Sequence, residues 1–546
     1  MREPRKSTGD GQVGSVHRVA VEDVLRRPVD RRTVLRLAGR SAAGLWLVGG
    51  MGGLAAACGD DGGGGSTTTV EPGGELWGLS LEEVAGLVAD KQVSPVELTR
   101  QQLDRIDRLN PQLNAFITVT PDLALAQARS AEEDIAADRY RSPLQGIPVA
   151  HKDVFDTSGV LTTAGSRVFA DRVPDADAAV VALLTEAGAV TVGKLNLLEF
   201  ASGLAGVNPH FGPTHNPWNL DMFSGGSSSG SGAATSAGLV YAATGTDTGG
   251  SIRLPAAFCG VVGLMPTFGR VSMRGAFSGT RTFDHAGPLA RTVRDTAIVL
   301  QVIAGPDPRD PNTSDVPVPD YLDGIEEGPG GLRIGVPRGG FWEDLDPEIE
   351  SSVQEALDAM ARAGAIVRDV AFPNVPRYLS AATDVSLIET MEAHAETYPS
   401  RSDDYGTDVA ALLELYRGIP VSTLEQMRQE GLAVIATARN GEADEVLAAV
   451  DVLAVPTSKR PVFSIAEAQE KYDRGDYAVT VSEARFENTI VFDATGQPAI
   501  SVPCGFTSND MPIGLMLVAR RWDEPTLLRA ARAYEQVRGP FPMPPI

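Results

Sequence analysis

The stretch LRIGVPRGGFWEDLDPEIESSVQEALDAMARAGAIVRDV, residues 332–370, decides the fold class. Leu332 to Val336 is a short apolar run closed by Pro337, and it reads as a buried strand. Asp346 then offers an N-cap acceptor, Pro347 fits the first helical position, and Ile349, Val353, Leu357 and Met360 recur at helical spacing. Gly364 stops that helix, and Ile366 to Val370 reads as a second strand. Upstream the same alternation holds: Pro148–Ala150 and Ala189–Gly193 read as short buried strands, with a helix from Ala178 to Ala187 before the second. Strands and helices alternating at this spacing indicate an α/β sheet covered by helices on both faces.

The body opens with a helical pair. Ser80 and Glu83 form a capping box ahead of Leu81, Val84, Ala85 and Val88. A second helix starts near Ser94-Pro95, carries Leu98, Leu103, Ile106 and Leu109 on one stripe, and is expected to stop at Asn110-Pro111. Another, built of small residues, is expected from Ala233 to Ala243, and residues 375–480 read as mostly helical. From Glu75 to the end no second linker interrupts, so residues 75–546 form one large domain.

Residues 1–57 have a different chemistry. Ten Lys and Arg stand against five Asp and Glu there, which leaves −29 of the chain's net −24 on the remainder. DRRTVLR, residues 30–36, resembles a twin-arginine export signal, and a mildly apolar, uncharged segment follows from Ser41 to Ala57. LAAAC, residues 54–58, resembles a bacterial lipobox, with Ala55 where leucine is commoner. Cys58 is then the lipidation site, and residues 58–74, rich in Gly and Thr, are a flexible tether. A plain cleaved signal with an incidental cysteine is the alternative. The expected location is extracytoplasmic, anchored to the bilayer by the N-terminus. A body this acidic lacks the basic patches that nucleic acid requires, so no nucleic-acid partner is expected. Cys259 and Cys504, the other two cysteines, imply no disulfide framework.

Three segments carry chemistry. GIPVAHKDVFDTSG, residues 146–159, places Lys152 just after a strand-like run. SGGSSSGSGAA, residues 224–234, is a Ser/Gly loop that leads straight into an apolar helix and lacks the Gly-Lys-Ser/Thr ending of a phosphate loop. GTDTGGSIRLP, residues 245–255, sets two glycines before Ser251, and reads on its own either as a turn or as a nucleophile. Together with KLNLLEFA (194–201), FGPTHNPW (211–218), DHAGPLAR (284–291) and TGQPAISVP (495–503), these segments resemble the amidase signature family across most of residues 75–546. Met265 and Ser229 depart from the family pattern, which has lysine and glycine there.

The resemblance implies a single α/β domain with a central mixed sheet, and a catalytic set of Lys152, Ser227 and Ser251. Ser227 would follow a cis peptide. Physical chemistry agrees with the set. A serine hydroxyl needs a base; His151 is the only histidine in these loops, and lysine serves only if burial holds it neutral. Lys152 then draws a proton from Ser227, which draws one from Ser251 as it attacks an amide carbonyl. Backbone N–H groups of Thr248, Gly249, Gly250 and Ser251 are expected to form the oxyanion hole. Asp247 and Arg253 read as supports of that loop. No metal or cofactor is expected. The implied activity is hydrolysis of a small-molecule carboxamide to an acid and ammonia or an amine. Two other readings compete: a glutamyl-tRNA amidotransferase-like subunit, and a non-catalytic surface binding protein on the same scaffold.

Overall fold

The computed structural model describes residues 75–546 apart from 203–205, 373 and 475–485. The expected leader (1–57), Cys58 and the tether (58–74) lie outside the described residues.

Apolar runs become strands in chain order as β1 Phe116–Val119, β2 Pro148–Lys152, β3 Val190–Leu195, β4 His215–Asn216, β5 Asn219–Phe223, β6 Ala242–Asp247 and β7 Val262–Met265. After them come β8 His285–Ala290, β9 Arg333–Pro337, β10 Ile366–Val370, β11 Val452–Pro456, β12 Ala499–Phe506 and β13 Pro512–Val518. Eleven of these make one sheet in the order β1-β3-β2-β6-β8-β7-β12-β13-β11-β9-β10, while β4 and β5 pair separately. The 332–370 unit is as expected. β9 and β10 pair in parallel, with Ile366 opposite Arg333. Asp346 caps the intervening helix Pro347–Arg362 by accepting from Glu348 N–H at 2.9 Å. Ile349, Val353, Leu357 and Met360 are all buried, each worth ~1.5–3 kcal/mol of apolar burial. The sheet is mixed: β2 runs parallel to β3 and β6, whereas β6–β8, β8–β7, β7–β12 and β12–β13 are antiparallel. Helices flank it, and those at 95–113, 121–136 and 229–236 share one apolar cluster with β2 and β3.

Three expected boundaries are corrected. The second helix continues through Pro111 to Leu113 and ends at Asn114 in the left-handed region (φ 51°). Proline in a last turn removes only one carbonyl's partner, and the full burial of Leu113 offsets that loss. The small-residue helix spans Ser229–Ser236 rather than Ala233–Ala243, and Ala242–Asp247 is strand β6. Alanine in a sheet covered on both sides has no period to betray it. Within the expected helical region, the described residues 375–474 are mostly helical, yet they also supply β11, a five-residue apolar run between β13 and β9.

For the site, what matters is that β2 and β6 are parallel neighbours, with His151 opposite Thr244. Both strands end at the same edge of the sheet, where α/β folds place their reactive groups.

Candidate active site

Lys152 is the last residue of β2 and is fully buried. Its Nζ donates to Ser227 Oγ at 2.8 Å and to Thr246 Oγ1, on the neighbouring β6, at 2.7 Å. Burial pushes its pKa down to about 7, and the negative charges of Asp284 and Asp247 keep it from falling further. An amine with that pKa is neutral in an appreciable fraction of molecules near neutral pH.

Ser227 follows a cis Gly226–Ser227 peptide and is 3% exposed. Ser251 lines the same pocket as Ser227, and its hydroxyl makes no hydrogen bond to any described residue. The Ser227–Ser251 hydrogen bond that a relay needs is therefore not made in this structure. His151 turns away, its Nε2 at 3.2 Å from Thr191 Oγ1, and burial pushes its pKa down to about 3. Ser229, the first residue of its helix, exchanges a 3.1 Å hydrogen bond with Thr214.

The turn 248–252 hangs on Asp247. Its carboxylate accepts from Gly250 N–H at 2.5 Å, Ile252 N–H at 3.0 Å and Arg253 N–H at 3.3 Å, and from two guanidinium nitrogens of Arg253 at 2.9 Å. Burial alone would raise the Asp247 pKa, but the Arg253 charge and these hydrogen bonds outweigh it and hold the group well below the usual carboxylate range. Arg253 reaches on to Asp493 (2.5 Å) and to the Thr489 carbonyl (3.0 Å). Asp247 and Arg253 are thus buried loop supports, as expected.

The oxyanion expectation needs one correction. Because the Gly250 N–H is already given to Asp247, the donors left without an acceptor among the described residues are those of Thr248, Gly249 and Ser251. Gly250 is instead required for its shape. At φ +117°, a Cβ there would sit 2.4 Å from Thr489 Oγ1. A Cβ on Gly249 would have Ile490 as its nearest neighbour, at an ordinary 3.7 Å.

Sequence reasoning missed Thr246 and Asp284. β6 and β8 pair antiparallel with Asp247 opposite His285, which sets Asp284 across from Thr248 just beyond the paired ends. Asp284 accepts from Thr248 Oγ1, from Ser278 Oγ at 2.6 Å and from Thr280 N–H at 3.1 Å, and burial raises its pKa. The motif DHAGPLAR contained Asp284, but only the register aims it at the nucleophile turn. The pocket, of about 180 Å³, has a lining that is largely apolar and includes Leu198, Phe223, Leu254, Phe258, Phe486 and Ile490. Ser202, Thr280, Thr383, Ser386 and Thr390 also line it, interspersed with Phe200, Phe277, Leu387 and Leu412.

Such a site is equipped for acyl transfer: a lysine able to take a proton, a serine in contact with it, a second serine facing the pocket, and free N–H donors beside that serine. The known proteins agree in kind. The Amidase family model matches residues 97–528. A glutamyl-tRNA(Gln) amidotransferase subunit from Anaeromyxobacter sp. (strain K) is 42% identical, with 87% of this chain and 99% of that protein covered. The native peptide amidase of Stenotrophomonas maltophilia superposes with a TM-score of 0.71 at 30% identity, covering 85% of this chain and 98% of that one. A 6-aminohexanoate cyclic dimer hydrolase complexed with substrate gives 0.75 at 30% identity, covering 86% and 99%. With its fold, its site and this breadth of match, the chain belongs to the amidase signature family of amide-hydrolysing enzymes.

Proposed function

We propose that the protein is a free-standing amidase that cleaves a small carboxamide through an acyl-enzyme on Ser251. The observation that carries this reading is the fully buried Lys152 amine, 2.8 Å from Ser227 in the pocket that Ser251 lines. Neutral Lys152 takes the Ser227 proton, and Ser227 takes that of Ser251 as the Ser251 oxygen bonds to the carbonyl carbon. The carbonyl π pair moves onto oxygen, where the N–H groups of Thr248, Gly249 and Ser251 receive it; one such donor is worth ~10²–10³ in rate. As the C–N bond breaks, the proton returns through Ser227 to the leaving nitrogen. Water then attacks the acyl carbon, giving its proton to Ser227 and through it to Lys152; as the bond from that carbon to Ser251 Oγ breaks, a proton returns by the same relay to Oγ and the carboxylic acid leaves. Covalent labelling of Ser251 by an alkyl fluorophosphonate, together with loss of amide turnover in Ser251→Ala, is the expected result. Full turnover by Ser251→Ala sinks the assignment.

A second reading, an amidotransferase subunit that draws ammonia from an amide donor, is favoured by the 42% identity to the Anaeromyxobacter protein over 99% of its length. Ammonia release from simple carboxamides by the isolated chain supports the first reading; release from glutamine alone, and only with partner subunits added, supports the second. We also propose export and lipid anchoring through Cys58, on the strength of the sequence alone. Fractionation of cells expressing the full chain and Cys58→Ser tests it: the native chain is expected in the membrane fraction, and the variant is expected to be released.

A further inference from the structure

We infer that the pocket in front of Ser251 selects uncharged and cationic amides over anionic ones, and that Asp284 sets this preference; the inference rests on the amide-hydrolase reading above. Among the described lining residues Asp284 is the only ionisable one. Lys152 is not part of the lining: its Nζ is engaged with the hydroxyls of Ser227 and Thr246. Lys471, whose Nζ lies 4.4 Å from the Phe463 ring centroid, is likewise outside the lining.

Most hydroxyl hydrogens of the lining are spent: Ser202 donates to the Phe200 carbonyl at 3.2 Å, and Thr280 and Ser386 share one hydrogen at 3.4 Å, which leaves one between them. Thr383 Oγ1 spends its hydrogen on the Leu379 carbonyl at 2.9 Å, and Thr390 Oγ1 spends its own on the Ser386 carbonyl at 2.8 Å. What these two side chains have left to offer is acceptor lone pairs. Asp284 adds more. Its carboxylate holds three neutral hydrogen bonds, from Thr248, Ser278 and Thr280, and no ion pair with a described residue. Two carboxylate oxygens offer about four lone-pair directions, so one further donor fits. A ligand carboxylate entering here loses its hydration shell and meets an acid, acceptor oxygens and a single hydroxyl donor from the Thr280–Ser386 pair, with no cation among the described lining residues. A ligand ammonium or amide N–H meets what it needs, and the apolar lining takes the methylene chain.

Three amides of closely matched length test the order: heptanamide, 6-aminohexanamide and adipic acid monoamide, read as kcat/KM for ammonia release by the full chain. The monoamide is expected to fall at least about 100-fold below heptanamide, since an unpaired charge is desolvated. Equal rates for those two overturn the inference. Asp284→Asn is expected to lower the ratio of 6-aminohexanamide to heptanamide about tenfold, mostly through KM for the ammonium substrate. Thr390→Val, which removes one acceptor at nearly constant shape, is expected to lower the same ratio less and serves where the Asp284 variant does not fold. A ratio unmoved by whichever variants fold overturns the role of the acceptor oxygens. A specificity ratio separates this role from general support of the fold, which would reduce both substrates together. Should no amide turn over while a neutral fluorophosphonate labels Ser251, the amidase reading fails. The charge order is then read from labelling rates of fluorophosphonates with neutral, ammonium and carboxylate tails, and a fast carboxylate probe overturns it. No labelling and no turnover defeats both.

Discussion

Titrating kcat/KM for an uncharged carboxamide from about pH 5 to about pH 9 reads the ionisation of Lys152 in the free enzyme. Burial lowers that pKa to about 7, with Asp284 and Asp247 acting against the shift. At pH 6 about nine-tenths of the molecules then carry the inert ammonium, and at pH 8 about one-tenth do. The rate constant is therefore expected to rise about tenfold between these two pH values and to climb with unit slope below them. Lys152→Arg keeps a cation of similar reach that cannot lose its proton, so it is expected to be inactive across the whole range. Asp284→Asn removes one of the two charges that hold the pKa up, and the midpoint moves to lower pH. A flat profile, a midpoint in the ordinary carboxylate range near ~4, or activity in Lys152→Arg would refute the neutral-lysine mechanism.

The same amine shapes stability. Unfolded, it titrates near ~10.4, so between about pH 7 and that value the unfolded chain binds the extra proton and stability rises with pH. Lys152→Met lacks this rise. It is expected to exceed the native chain by up to ~4 kcal/mol below pH 7, less ~1 kcal/mol for each of the Ser227 and Thr246 hydrogen bonds, and to lose that advantage by about pH 10.4; denaturation midpoints across pH measure it. Gly250→Ala, forced onto Thr489 at φ +117°, is expected to lower kcat by ~10²–10³ as the turn donors shift, whereas Gly249→Ala, with space before Ile490, stays within about tenfold; steady-state rates on one amide compare them. Asp247→Asn leaves the buried Arg253 guanidinium with Asp493 as its remaining acid, and is expected to cost ~3–5 kcal/mol in unfolding free energy. Slower fluorophosphonate labelling of Ser251 should accompany it, because three turn N–H groups lose their full acceptor.

How much of this the sequence discloses depends on whether a feature is local. Asp346-Pro347 before a 3.6-residue apolar stripe, and Ser80 with Glu83, are readable because cap and helix are neighbours in the chain. Lys152, Ser227 and Ser251 stand out because each lies in a stretch whose glycines and serines serve a tight backbone path. β6 and β11 escaped for the opposite reason. A strand buried on both faces has no alternation, and an alanine-rich one has helical propensity besides, so only its partners in the sheet settle its state. Specificity is further out of reach: the pocket joins residues near 200 and 280 to a helix near 385 and to Phe486 and Ile490, segments that meet only once the sheet order is set. Asp284 makes the point most sharply. It owes its place beside Thr248 to the β6–β8 register, in which Asp247 faces His285. A slip of one residue would turn successive side chains to opposite faces of the sheet, and Thr248 would lose its carboxylate and Lys152 a charge that holds its pKa up. Nothing in DHAGPLAR read alone distinguishes those two outcomes, so the residue that tunes the base and fits a cationic ligand is legible only through the pairing of two strands about forty residues apart.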